Sequence, residues 1–254
     1  MKKVVDAIVL KNNSISENIF DMIIKAPAIA ENATAGQFVE IYTGNGVNLL
    51  PRPISICEIN KNEGTLRLVY QVVGTGTKIF SDKKEGETLK IVGPLGNGYD
   101  IKDVKTSIFV GGGIGVPPLL QTVKQAKGEK IVILGFRSGT ILKEDFEKTG
   151  AKVLIATDDG SVGFKGNVVD LMKAENITGD VIYSCGPKIM LKFLAQYAES
   201  KNIECFVSME ERMACGIGAC VGCVVKIKNG DSFEHKKVCK DGPVFNSKEV
   251  LWND

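Results

Sequence analysis

The first hundred residues alternate between short apolar runs and polar turn residues. The apolar runs span residues 7–10, 19–24, 38–42, 66–73 and 89–92. Several short strands at such spacing are typical of an antiparallel barrel or sandwich. We therefore predict an antiparallel β-barrel over residues 1–100, with one short helix near residues 77–81.

After residue 101, apolar strands alternate with segments of helical periodicity. Predicted strands span residues 107–110, 130–135, 151–156 and 180–184, and predicted helices span residues 117–126, 143–148, 167–173 and 188–201. Such alternation implies a parallel, doubly wound sheet. We predict an α/β domain over residues 101–205 and a small cysteine-bearing domain over 206–254. The predicted fold class is therefore α+β and multidomain.

Composition excludes several classes of protein. The chain has 254 residues, of which 44% are apolar, and its net charge is +2. Basic residues are scattered, without the basic patch of a nucleic-acid surface. Asp6 and Lys11 interrupt the N-terminal apolar segment that a secretion signal would need, and no apolar run approaches the length of a membrane span. We expect a cytoplasmic protein that binds neither nucleic acid nor membrane.

Four of the seven cysteines follow the spacing Cys215-x4-Cys220-x2-Cys223-x15-Cys239. This is the plant-type spacing for the ligands of a [2Fe–2S] cluster. Glycine and alanine dominate between the first three cysteines, which leaves space for the backbone to wrap a cluster. Four cysteines also satisfy tetrahedral zinc, although zinc sites usually combine two CxxC pairs and this segment has one. An odd cysteine count in a reducing compartment disfavours disulfides.

Three segments of the predicted barrel have the chemistry to hold a flavin nucleotide: Arg52-Pro-Ile-Ser55, Val69-Tyr-Gln71 and Gly74-Thr-Gly-Thr77. An arginine can clamp a pyrophosphate with its planar guanidinium, and a glycine-led helix N-terminus favours phosphate. Taken alone, these segments are equally compatible with a solvated arginine and a turn before a helix.

Two further segments have the features of a nicotinamide nucleotide site. Gly111-Gly-Gly-Ile-Gly115 follows a strand and opens a helix, but it is not GxGxxG because Val116 takes the sixth position. Cys185-Gly-Pro187 ends a later strand, and Asp159 follows another. Their structural alternatives are a tight strand–helix connection, a small buried thiol and a solvated turn. Arg137 alone does not distinguish NAD from NADP.

The order of these motifs resembles the ferredoxin–NADP reductase superfamily. The resemblance implies that Arg52 binds the FAD pyrophosphate and that Ser55 lies near flavin N5. The superfamily commonly has an aromatic residue before this serine, whereas the chain has Ile54, so Tyr70 becomes the candidate for stacking on the flavin. The expected FAD contacts are Arg52, Pro53, Ile54, Ser55, Val69, Tyr70, Gln71, Gly76 and Thr77. The expected NAD contacts are Gly111, Gly112, Gly113, Gly115, Asp159, Cys185, Gly186 and Pro187.

Together with the cysteine motif, the whole chain resembles the electron-transfer subunits of type B dihydroorotate dehydrogenases. The most specific segments are residues 213–225 and 238–245. The resemblance implies FAD, NAD⁺ as acceptor, and one [2Fe–2S] cluster in this chain, with Cys215, Cys220, Cys223 and Cys239 as cluster ligands. It also implies an FMN-containing catalytic subunit, a heterotetramer of two chains of each kind, and a role in pyrimidine (UMP) biosynthesis.

The sequence motifs are also compatible with two other functions. A flavin/iron–sulfur subunit of a ferredoxin-linked transhydrogenase, sulfide reductase or hydrogenase would share all three motifs. A zinc-stabilised nucleotide-binding regulatory module would share them without electron transfer. The single histidine, His235, is expected at the surface, so no residue is placed as the base that dihydroorotate oxidation needs. We therefore expect an oxidoreductase subunit without the dihydroorotate-oxidising site.

The first prediction concerns Cys220→Ser. We expect this variant to lose its iron–sulfur absorption and to bind the catalytic subunit more weakly, because one cluster ligand is removed, while FAD stays bound. Visible spectra and iron content of the purified variant measure this, with Cys205→Ser, outside the motif, as control. A full iron–sulfur spectrum in Cys220→Ser would contradict the ligand assignment.

Overall fold

The computed structural model describes residues 1–44 and 46–252, and the N-terminal part is a closed antiparallel barrel. Its neighbouring strands follow the order β1-β2-β5-β4-β3-β6. The strands are β1 (Lys3–Ser16), β2 (Ile19–Lys25), β3 (Phe38–Ile41), β4 (Arg52–Asn60), β5 (Thr65–Gln71) and β6 (Thr88–Leu95), with helices α1 (Pro27–Ala30) and α2 (Thr75–Ser81) in the connections. Because side chains alternate along a strand, Val39 and Ile41 fill the barrel while Phe38 faces outward.

The second part is a seven-stranded sheet in the order β10-β9-β8-β7-β11-β12-β15. Its strands are β7 (Thr106–Gly112), β8 (Glu129–Phe136), β9 (Lys152–Thr157), β10 (Phe164–Lys165), β11 (Val181–Cys185), β12 (Glu204–Ser208) and β15 (Val244–Asn246). All pairs are parallel except β12–β15. The helices are α3 (Leu119–Gln125), α4 (Lys143–Glu147), α5 (Val168–Ala174) and α6 (Lys188–Ser200). We call this sheet with its helices the α/β unit.

The C-terminal segment contributes an antiparallel hairpin of β13 (Val224–Asn229) and β14 (Ser232–Lys237) before β15. Its buried residues Cys223, Cys239 and Phe245 share one apolar core with Phe38 of the barrel and Val207 of β12. A segment this small holds little core of its own, so packing against both larger parts stabilises it.

The predicted antiparallel barrel and doubly wound α/β sheet are confirmed. Strands β4, β10 and β12–β15 and helix α1 were not predicted, because most of them are short and the apolar runs in them are interrupted by polar residues. The division at 1–100, 101–205 and 206–254 remains a prediction. Strand β12 crosses its second boundary, and residues 253–254 lie outside the described residues. Within the described ranges, no helix is long and apolar enough to cross a membrane.

Candidate cofactor sites

A cavity of about 340 Å³ lies between the barrel and the carboxyl ends of the sheet strands. Eight of the nine predicted FAD contacts line it: Arg52, Pro53, Ile54, Ser55, Val69, Tyr70, Gln71 and Thr77. The ninth, Gly76, lies against Arg52, because a Cβ atom at this glycine would come within 2.2 Å of Arg52 Nε. The fold therefore brings the three predicted flavin segments to one place.

Arg52 is held over the first turn of α2. Its Nη1 donates to the Leu50 carbonyl oxygen, and its Nη2 donates to Asn48 Oδ1 at 3.3 Å. Thr77 Oγ1 accepts from the backbone N–H of Gly74 at 3.3 Å, which closes the helix start. A planar cation beside this glycine-rich turn fits a pyrophosphate group, so the residues present suit the phosphates of FAD.

Tyr70 packs inside the barrel and also lines the flavin cavity. Its side chain is 2% exposed inside the barrel. The ring stacks on Phe20 with centroids 5.9 Å apart and meets Phe80 edge-on at 6.3 Å, and its hydroxyl donates to Asn12 Oδ1 at 3.2 Å. One face of the ring thus packs on Phe20 while Tyr70 also lines the flavin cavity, and its stacking on the flavin remains a prediction.

The opposite wall of the flavin cavity was missed by sequence reasoning. It includes Ile114 after β7 and the run Ser208, Met209, Glu210 and Glu211 after β12. Ligands of parallel sheets bind at the carboxyl ends of strands, so a correct prediction of β12 would have pointed to residues 208–211. Phe38, Val73, Met213 and Pro243 complete the lining.

A second cavity, of about 470 Å³, lies at the carboxyl edge of the α/β unit. Gly112, Gly113 and Pro187 of the predicted NAD contacts line it. Gly115 packs against the Cys185–Gly186 backbone, because a Cβ atom there would lie 2.6 Å from the Cys185 carbonyl oxygen. The glycine turn and the Cys-Gly-Pro segment are thus neighbours, as Gly111 and Cys185 also pair between β7 and β11.

Two predicted NAD contacts have their side chains elsewhere. The Cys185 thiol is buried among core residues, and burial raises its pKa well above the usual value. Asp159 turns back to accept the Ser161 N–H at 2.9 Å, and that hydrogen bond lowers the pKa of its carboxyl. The neighbouring Asp158 lines the cavity instead, together with Arg137. The cavity thus offers an acid suited to ribose hydroxyls and a cation suited to phosphate.

The four motif cysteines are arranged as two neighbouring pairs. The Cys220 N–H points to Cys215 Sγ at 3.4 Å, and Cys223 and Cys239 are both buried at the base of the hairpin, where the Val238 N–H donates to the Cys223 carbonyl oxygen at 2.8 Å. No group of three or more His, Cys, Asp or Glu side chains among residues 1–44 and 46–252 is arranged to hold a single metal ion. A [2Fe–2S] cluster takes four cysteine thiolates, and the loop together with the base of the hairpin supplies four cysteines.

The backbone of the cysteine loop favours a thiolate at Cys215. Burial opposes ionisation, but N–H groups of Cys220, Ile217 and Ala219 lower the pKa of this thiol to about 6. The thiolate is the form that binds metal. Lys237 Nζ donates to the Gly218 carbonyl oxygen at 2.7 Å and so ties the loop to β14.

A buried carboxyl, Glu40 of β3, lies between the cysteine loop and the flavin cavity. It is 1% exposed, and neither of its oxygens has a hydrogen-bond partner among the described residues. It contacts the loop at Gly216, where a Cβ atom would come within 2.6 Å of Glu40 Cγ. Burial and the nearby Cys215 raise the pKa of Glu40 to about 7, against the opposing charge of Arg52. Nothing in the local sequence marks this residue, because its neighbours are distant in the chain.

The barrel, the sheet and the cavity between them define the fold of a flavin-dependent reductase of the ferredoxin reductase type. A chain of an NADH-dependent reduced ferredoxin–NADP oxidoreductase is 32% identical, with a TM-score of 0.89 over 98% of this chain and 91% of that chain. The ferredoxin reductase in carbazole 1,9a-dioxygenase shares the fold at 19% identity, with a TM-score of 0.67 over 80% of this chain and 67% of that chain.

Sequence similarity identifies the family. Residues 210–251 match the iron–sulfur cluster binding domain of dihydroorotate dehydrogenase B. Relatives described as dihydroorotate dehydrogenase B (NAD(+)), electron transfer subunit, include those of Caldanaerobacter subterraneus subsp. tengcongensis, 42% identical over 96% of this chain and 97% of the relative, and Streptococcus mutans serotype c, 40% identical over 96% of each. The chain belongs to the family of dihydroorotate dehydrogenase B electron transfer subunits.

We predict that Arg52→Ala weakens FAD binding by about 10- to 100-fold, the worth of a hydrogen bond to a charged group. The FAD affinity of Arg52→Lys is expected to lie between those of wild type and Arg52→Ala, because lysine keeps the charge and loses the planar fork. Titration of flavin fluorescence against the FAD-free chain measures this. Arg137→Ala, at the other cavity, is the matched control. Equal FAD affinity in Arg52→Ala and wild type would remove Arg52 from the flavin site.

A second prediction from this site concerns Glu40→Gln. The pKa of Glu40 is raised from 4.5 to about 7 in the folded chain, so the folded chain binds this proton more tightly than the unfolded chain does. The contribution of Glu40 to the free energy of unfolding therefore falls as pH rises from 4.5 to about 7. Glutamine cannot ionise, so we expect the variant to gain on the order of 3 kcal/mol over wild type at about pH 8. That gain should vanish in acid.

Thermal or urea unfolding of both proteins across this pH range measures the Glu40 effect. Glu17→Gln, an exposed carboxyl in the β1–β2 turn, is the control and should show no such trend. A difference between wild type and Glu40→Gln that does not change with pH would show that the carboxyl is not held neutral by its surroundings.

Proposed function

We propose that this chain carries electrons from the FMN of a dihydroorotate dehydrogenase catalytic subunit, through a [2Fe–2S] cluster and FAD, to NAD⁺, in pyrimidine (UMP) biosynthesis. One observation supports this most strongly: the cysteine loop and the flavin cavity share strand β3. Phe38 lines the cavity, and Glu40, two residues further on, contacts the loop at Gly216. Two residues of a strand span about 7 Å, so the loop and the flavin cavity are near neighbours.

The cofactors supply the redox chemistry and the chain supplies their placement. When bound, FAD exchanges single electrons with an iron–sulfur cluster and a hydride with NAD. Arg52, over the turn at Gly76, would hold the FAD pyrophosphate, and Ser55 would lie near the flavin ring. The glycine turn at Gly112–Gly113 would hold the NAD phosphates. The buried apolar side chains of Phe38, Ile54 and Val69 in the flavin cavity would keep water from the reacting atoms.

The proposed cluster ligands are Cys215, Cys220, Cys223 and Cys239. Cys223 and Cys239 are buried, whereas Cys215 accepts hydrogen bonds from the loop backbone near Cys220. The two ends of the loop therefore differ in their surroundings. The buried end anchors the cluster in the core, and the outer end lies at the surface. Ile217 and Val221, which are 47% and 72% exposed, flank the outer end. We propose that they dock the catalytic subunit, because one-electron transfer requires a short distance.

The relatives' description as NAD(+)-linked subunits supports NAD as the acceptor and a separate catalytic partner. The proposed assembly has two chains of each kind, and the proposed compartment is the cytoplasm. All seven cysteines are free thiols, which suits a reducing compartment. A ferredoxin-linked transhydrogenase subunit is the second candidate, because a chain of such an enzyme has this fold at 32% identity.

A coupled assay tests this function. The purified chain is mixed anaerobically with an FMN-containing dihydroorotate dehydrogenase subunit, and NADH formation from dihydroorotate and NAD⁺ is followed. We expect turnover only when both chains are present. Val221→Glu should weaken it by disturbing docking while NADH oxidation by the isolated chain continues, and Phe233→Glu, an exposed apolar residue of the hairpin, should not.

Failure of the chain to support NADH formation with that subunit would overturn the proposal. Specific association instead with a larger multi-cluster protein, together with ferredoxin-dependent turnover, would favour the transhydrogenase.

A further inference from the structure

An ion-pair cluster joins the barrel to the α/β unit away from the cysteine loop. Its centre is Arg67 of β5, whose side chain is 16% exposed. The guanidinium donates to both oxygens of Asp21 on β2 at 2.9 Å and to Glu58 on β4 at 2.9 Å. These three residues belong to the barrel. The fourth, Asp145, belongs to α4 of the α/β unit and accepts from Arg67 Nη1 at 3.1 Å.

Helix α3 adds two contacts at the same place. Gln121 Oε1 accepts the backbone N–H of Ile59 at 2.9 Å, and Lys124 pairs with Glu58. Such a network holds a fixed geometry because the guanidinium fork allows few orientations. It is also less screened by salt than exposed pairs, since Arg67 and Asp21 are largely buried.

The cluster is placed to act on the flavin cavity. Arg67 and Val69 lie on the same face of β5, about 7 Å apart along the strand, and Val69 lines the cavity. Val69 and the nearby Cys57 pack into the apolar core of the α/β unit. The nucleotide cavity, in contrast, is lined only by residues between Gly112 and Phe193 of the α/β unit. The flavin cavity and the nucleotide cavity therefore face each other correctly only if the barrel and the α/β unit keep a fixed relative position.

We propose that the Arg67–Asp145 pair is a latch that fixes the α/β unit against the barrel and so aligns the nicotinamide of NAD(H) with the flavin. Arg67 is a positioning residue. Asp21 and Glu58 hold its guanidinium on the barrel, which leaves N–H groups free to meet Asp145. The inference rests on the proposed function, because it requires a hydride to leave NADH, which becomes NAD⁺, and to reach FAD, which is reduced.

The variant Asp145→Ala isolates the latch. In this variant the Arg67 guanidinium still pairs with Asp21 and Glu58, so no buried charge in the barrel loses all its partners. The matched control is Glu147→Ala, which removes a carboxylate from the same helix but one whose partner, Lys143, is on that helix at 3.5 Å. Both variants are prepared as the full chain with its cofactors, and FAD content and unfolding midpoint are compared with wild type.

The measurement is anaerobic stopped-flow reduction of bound FAD by NADH. We expect Asp145→Ala to lower the rate constant at saturating NADH by about 10-fold or more, because a misplacement near 1 Å can cost up to about 10²-fold. The NADH dissociation constant should stay within about twofold, since the latch lies outside the cavity that binds it. Glu147→Ala should match wild type in both quantities.

An unchanged rate constant in Asp145→Ala, or an equal fall in Glu147→Ala, would overturn the latch. A rise in the dissociation constant with an unchanged rate constant would also overturn it, since it would indicate a binding role. Failure of the proposed function is a different result: the wild-type chain would then form no NADH from dihydroorotate with the FMN-containing subunit, whatever the effect of Asp145→Ala on reduction by NADH.

Discussion

The packing of the cysteine loop on the outward face of β3 is the interaction on which the rest of the structure depends. Alternate side chains of this strand point to opposite faces. Val39 and Ile41 fill the barrel, whereas Phe38 faces the flavin cavity and Glu40 faces the loop. Gly216 makes the approach possible, because any side chain there would collide with Glu40. Without this contact the cluster and the flavin would belong to separate bodies, and a one-electron step between them would have no fixed distance.

A second close backbone contact, also made possible by a glycine, lies at the carboxyl edge of the sheet. The backbone of Gly115 lies directly on the Cys185–Gly186 peptide, so two turns from distant parts of the sequence form one edge. This edge faces the flavin cavity through Ile114 and the nucleotide cavity through Gly112 and Gly113. This edge of the α/β unit thus lies at the border with the barrel, and the relative placement of the two units sets the distance between the two cavities.

Sequence alone predicted what is encoded locally. The alternation of apolar runs predicted the barrel, and the strand–helix alternation predicted the doubly wound sheet. The four-cysteine ligand set from the spacing remains a prediction, although the Cys220 N–H does meet Cys215 Sγ. The three flavin segments converge as expected because the barrel pairs β4 with β5 and α2 follows β5 directly. Each of these inferences depended on residues that are close in the chain.

The features that sequence did not predict depend on long-range contacts. Glu40 is significant only because residue 216 covers it, and Arg67 only because Asp145 reaches it from a helix 78 residues further on. Tyr70 was proposed as a flavin contact from its neighbourhood in sequence. Its ring lines the cavity, and its contacts with Phe20 and Phe80 inside the barrel could not be read from the sequence. Asp158 rather than Asp159 lines the nucleotide cavity because the turn captures the second carboxylate. Propensity and spacing carry no information on such packing.

The central claim is that one chain holds a flavin and an iron–sulfur cluster in electronic contact with NAD(H). An anaerobic visible spectrum of the purified chain before and after addition of NADH, with metal analysis, tests it most directly. The account predicts flavin bands over broad iron–sulfur absorption, about two iron atoms per chain, and bleaching of both chromophores by NADH. A colourless chain that contains one zinc ion, or flavin bands that bleach while the iron–sulfur absorption stays unchanged, would contradict it.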